Sequence, residues 1–125
     1  MAIGEKSSSA VKQEIFEGRV DALASNVALT ELLYIICRKF GWHVAVEKRQ
    51  YLLESKMINF VETPELIEEA AKLKCNRAIA MADCFTLVIA KSYSCKAVFA
   101  RKQLELEREM KKVPFDIAIE FLIHE

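Results

Sequence analysis

Glycine and proline are scarce, three and two in 125 residues, and with 53% hydrophobic content that scarcity argues for a packed core and against a disordered chain. An excess of charge of one sign is missing too. Eighteen Lys plus Arg balance 18 Asp plus Glu, so net charge gives no footprint of a nucleic-acid binder, and any RNA contact must come from a local basic patch. No run approaches the ~20 apolar residues of a membrane span, and Glu5-Lys6 before Ser7-Ser8-Ser9 denies the N-terminus a signal peptide's apolar core. The expectation is a soluble, cytoplasmic protein without membrane contact. Cys37, Cys75, Cys84 and Cys95 form no CxxC pair and have no metal-ligand spacing with His43 or His124, so they read as reduced thiols. Without repeat, low-complexity tract or linker, residues 1–125 read as one domain.

The chain is organised around residues 77–91, apolar almost all the way round at helical spacing, which marks a helix buried on several sides. One carboxylate, Asp83, interrupts it. Its neighbours at helical spacing are Ile79, Ala80, Thr86 and Leu87, so no lysine or arginine neutralises it locally. Residues 25–38 repeat the pattern, with Glu31 flanked by Val27, Ala28, Tyr34 and Ile35. A buried, ionised carboxylate without a partner is costly. Either each acid meets an arginine or a helix end, or both converge on a divalent ion.

Around these two stretches the pattern alternates between periods. Residues 7–17 read as a helix stopped by Gly18, Val20 to Ala24 as a buried parallel strand, and Ser25-Asn26 as the cap of the Glu31 helix, which ends at Gly41. A helix at 44–55 and a strand at 57–61 follow. Thr63-Pro64-Glu65 opens another helix, with threonine as cap and proline at the first helical position. After the Asp83 helix come a strand at 96–100, a charged helix at 101–112 with a solvated face, and a strand at 117–123. Alternating strands and helices predict an α/β fold, a three-layer sandwich on a mostly parallel sheet. In such sheets ligands gather at the carboxyl ends of the strands, where Glu31 follows the 20–24 strand.

Thr30-Glu31-Leu32-Leu33-Tyr34 opening an apolar helix, an acidic and alanine-rich helix, then Met81-Ala82-Asp83-Cys84-Phe85 with Ala90-Lys91-Ser92-Tyr93 and a short strand resembles the PIN domain, and more narrowly the archaeal VapC-type toxins of toxin–antitoxin pairs. The resemblance implies a metal-dependent endoribonuclease. Glu31 and Asp83 would be its catalytic, metal-binding acids, holding Mg²⁺ or Mn²⁺ while an activated water attacks an RNA phosphodiester. It also implies a homodimer and a small VapB-like antitoxin that covers the active site. Thr30 and Asn76 are candidates to orient the carboxylates or the water, against the plainer readings of a mid-helix hydroxyl and a helix cap.

Two departures from the family pattern stand out. The family's central first strand ends in a metal-binding aspartate and should precede Ala2-Ile3-Gly4-Glu5-Lys6, so the expectation is a chain lacking that strand and its acid. Apolar edges on the 20–24 and 96–100 strands would then seek a partner, and activity would be absent or restored by another chain. The second departure is Phe99-Ala100-Arg101, where many members carry a fourth acid. Glu105 or Glu109 could stand in for it, or Arg101, Lys102 and Arg77 could contact RNA phosphate. The competing expectation is a PIN-like binding module without catalysis.

Overall fold

Among the described residues Ser25 joins the first full strand to the first helix, and its side chain explains the turn. In a computed structural model, which describes residues 2–3 and 22–123, strand β2 (Ala22–Ser25) runs directly into helix α1 (Asn26–Phe40). Ser25 has extended backbone, and its Oγ accepts from the Ala28 amide at 3.0 Å, satisfying one of the helix's orphan donors. At the other end Gly41, at φ 94°, donates its amide to the Cys37 carbonyl at 2.9 Å. That positive φ favours glycine and lets α2 (Trp42–Ser55) fold back on α1 as a helical hairpin.

Strand β3 (Ile58–Val61) leads to α3 (Pro64–Asn76), whose Thr63 cap accepts from the Leu66 amide at 3.2 Å. Residues 77–80 then form a connection, and α4 begins at Met81 and runs to Ser92. Lys74 donates to the Ile79 carbonyl at 2.7 Å and pins this connection outside the helix. Asp83 is therefore in the first turn of α4. Ile79 and Ala80 are not helical neighbours of it, as the periodicity implied. Strand β4 (Lys96–Arg101), helix α5 (Leu104–Lys112) and strand β5 (Ile119–Ile123) complete the described chain. The expected helix at 7–17, and the first residues of the expected 20–24 strand, lie outside the described residues.

The sheet has the order β3-β2-β1-β4-β5, where β1 is Ala2–Ile3. Its outer pairs are parallel: Ala24 lies opposite Phe60, and Phe99 opposite Phe121. The centre differs from expectation. The edges predicted to stand open are bridged at Ala22–Leu23 and Lys96–Ala97 by Ala2–Ile3, antiparallel to both neighbours. Unpaired backbone in mid-sheet is costly, and main-chain pairing requires donors and acceptors but not a given direction.

Helix α4 is the hub of the core. Ala82, Cys84, Thr86, Leu87, Val88, Ile89 and Ala90 are buried on it, packed with Leu66 and Ala70 of α3, Ala97 and Phe99 of β4, and Leu106 of α5. The Phe99 and Phe121 rings lie 6.0 Å apart across the parallel pair. Helix α1 overturns the reading of Glu31's stretch as a second core helix. No residue of it is fully buried, and Leu32, Tyr34 and Ile35 are 40, 41 and 44% exposed. It rests mainly on α2, with smaller contacts to α4 and β2.

Candidate metal and phosphate site

The N-terminal halves of helices α1 and α4 meet at the carboxyl ends of β2 and β4. One turn and a half after its Ser25 cap, α1 presents Glu31; the first turn of α4 presents Asp83. Both carboxylates line an open pocket of about 530 Å³, floored by Ala24 and Val98 and bordered by Thr86 and Gln103. This is the edge of an α/β sheet where ligands collect.

Burial pushes the Asp83 carboxyl above its ordinary value, and the nearby charges of Glu31 and Glu105 push it further in the same direction. No lysine or arginine among the described residues pairs with Asp83 or Glu31. What favours ionised Asp83 is the opposing charge of the chain's N-terminal amine, together with its place in the first turn of α4, where the helix dipole attracts negative charge and Ala80 supplies no side-chain cap. The same electrostatics reach Cys84, whose thiol is pushed up by burial and by Asp83 against the opposing charge of Lys74.

The accessory candidates divide. Thr30 Oγ1 donates to the Asn26 carbonyl at 2.8 Å on an exposed face, so its hydroxyl is used within its own helix. Asn76 donates to the Lys72 carbonyl at 3.0 Å and lines a different pocket. Arg101 ends β4, paired through its backbone with Ile123. Glu105, exposed in the first turn of α5, is near enough for its charge to act on Asp83. Glu109, the other acid considered there, is only 5% exposed and is clasped by Arg77 and Lys112. That removes both Glu109 as a stand-in ligand and Arg77 as a free phosphate contact. Lys102 lies 6.0 Å over the Phe121 ring.

Gln103 borders the pocket and was not singled out from the sequence. Its signal was topological: it sits in the turn after β4, at the strand end where such sheets place ligand-contacting side chains.

Among the described residues no three His, Cys, Asp or Glu side chains gather as a metal-holding group. Two carboxylates nevertheless fit one kind of ion. Mg²⁺ and Mn²⁺ prefer oxygen donors, and Mg²⁺ keeps several waters while taking one or two carboxylates plus substrate phosphate. Burial first, and then repulsion from Glu31, raise the Asp83 carboxyl, and a bound cation opposes both.

The family model for the PIN domain matches residues 2–101, a span that contains Glu31 and Asp83 but not Glu105. No curated protein and no solved structure matches the chain.

Proposed function

This chain belongs to the PIN domain family, whose members are generally nucleases, and from that premise we propose that it is a Mg²⁺- or Mn²⁺-dependent endoribonuclease of VapC type, the toxin of a toxin–antitoxin pair. The observation that carries the reading is the meeting of Glu31 and Asp83, from two different helices, in one pocket without a lysine or arginine partner among the described residues. These two acids would hold the ion, with Glu105 as an outlying third charge. Bound there, the ion supplies an activated water and stabilises charge on the scissile phosphate. The protein's own part is to hold both carboxylates on helices fixed by the Ser25 cap and the α4 core, and to surround them with apolar walls that strengthen local electrostatics.

The test is cleavage of a labelled single-stranded RNA with Mn²⁺ and with chelator, alongside Asp83→Asn and Glu31→Gln. Metal-dependent cutting that falls by at least about 10²-fold in either variant supports the assignment, on the scale of losing a preorganised active-site group. Undiminished Mn²⁺ binding in both variants removes it.

A second reading has its own observation. Helix α1 buries no residue fully, and Tyr34, Ile35, Phe40, Trp42 and Tyr51 leave the α1–α2 hairpin with a broad apolar exposure. A homodimer contact or a VapB-like antitoxin would cover it. A non-catalytic PIN-like module would keep this surface and lose the chemistry, and folded protein that pairs but never cuts RNA would favour that reading.

A further inference from the structure

The opposite end of α4 borders a second pocket, which the chemistry above does not use. It holds about 340 Å³ between α3, α4 and the chain entering β5. From Asp83 to Lys91 the helix rises about 12 Å, so the two pockets are separate places on one rod. Leu73, Phe115 and Ile117 give the second pocket an apolar floor. Its rim is charged: Lys72 and Lys91 stand over it, with Glu69 and Asp116 beside them.

Two kinds of charged side chain border this pocket, and they differ in what they can release. Arg77 is spent on structure, 15% exposed, stacked 4.1 Å over Phe115 and bound to Glu109. Lys72 and Lys91 are 74 and 67% exposed, and their contacts with Glu69 and Asp116 are long, at 3.7 and 3.4 Å. Exposed pairs of this kind are worth little, so both lysines and both carboxylates are available to a ligand at small cost. An apolar floor, two exposed cations and two acceptors suit a molecule with a flat apolar body, an anionic group and edge donors.

We propose that this pocket binds a nucleoside monophosphate unit, with the base on the Leu73–Phe115–Ile117 floor, the phosphate at Lys72 and Lys91, and Asp116 accepting from the base edge. Guanine matches best, because its adjacent N1–H and N2–H donors face a carboxylate as a fork. Single-stranded RNA offers such a unit with its base unstacked, and a free nucleotide offers the same chemistry. Choosing a nucleotide over another amphipathic anion rests on the nuclease reading. Occupancy of the pocket does not depend on cleavage.

The experiment is a backbone-amide NMR titration in chelator with 5′-GMP, and in parallel with a four-nucleotide RNA containing one guanosine. Shifts are expected at Leu73, Asn76, Lys91 and Ile117, and affinity should weaken about tenfold or more in Lys72→Ala/Lys91→Ala, roughly one charge-assisted contact. Both lysines are exposed, so the variant's own spectrum verifies its fold. RNA binding at least tenfold tighter than GMP identifies a strand as the source, and equal affinities identify a free nucleotide; either keeps the site. No shift, shifts confined to the Glu31–Asp83 pocket, or unchanged affinity in the double variant overturns it. Loss of RNA cleavage alone would strike the function proposed above and leave this pocket's titration intact.

Discussion

Asp83 and Glu109 are two acids in the same small domain, and their surroundings are opposite. Glu109 is almost wholly buried, yet Lys112 lies 3.2 Å from one of its oxygens and Arg77 3.7 Å from the other. Arg77 also donates to the Glu109 carbonyl at 2.9 Å, bridging 32 positions of sequence. Asp83 is half-buried, and the groups acting on it include two further acids, Glu31 and Glu105. An acid wrapped in cations fastens α5 to the connection before α4. An acid set among acids is poised for a cation that no lysine or arginine among the described residues supplies.

Removing the clasp should give the largest effect. Glu109→Ala leaves the Arg77 guanidinium half-enclosed without its carboxylate, and breaking a buried pair this way costs about 3–5 kcal/mol. Urea unfolding should show that loss as a lower midpoint with an unchanged slope. A loss below about 1 kcal/mol would mean that the carbonyl contact and the Phe115 face hold Arg77 unaided, and the contrast between the two acids would collapse.

A smaller effect is expected where the site rests on its scaffold. Ser25 is 3% exposed, ends β2 and caps the helix that carries Glu31. Ser25→Ala should cost about 1 kcal/mol. If the cap also sets the pitch of α1, Mn²⁺ affinity should fall with it. Stability lost with Mn²⁺ affinity unchanged would place Glu31's positioning in the α1–α2 packing instead.

Helix ends and strand positions were legible because they are local. Ser25, Gly41, Thr63 and Pro64 carry their caps and stops in their own side chains or backbone freedom. Long-range partners were not. Nothing at residues 105–112 distinguishes Glu109 from Glu105 by spacing, and only the fold turns one inward to Arg77 and leaves the other facing solvent near Asp83. Periodicity overreached at the start of α4, where apolar residues 78–80 continue the pattern without continuing the helix. It also misjudged α1, since an apolar helix reads the same whether its cover is its own core or another surface. Strand direction at the sheet's centre was likewise hidden, because backbone pairing leaves no mark on two residues such as Ala2 and Ile3.

The finest test of the contrast is the pH dependence of Asp83 itself. Its carboxyl is raised in the folded chain, first by burial and then by the charge of Glu31. Between the ordinary value of 3.8 and the raised one, the folded state therefore holds more protons than the unfolded state. Stability contributed by Asp83 is present below that window and is lost as pH rises through it. At neutral pH the ionised group works against folding, so metal-free Asp83→Asn should melt slightly higher than the parent. The gap should close on acidification below pH 3.8, where both chains carry a neutral group. Added Mn²⁺ should raise the melting temperature of the parent and leave the variant unmoved, because a ligand that binds only the folded state stabilises it in proportion to affinity. A variant less stable than the parent at neutral pH would show that Asp83 is held by the helix dipole as a structural acid, of the same kind as Glu109.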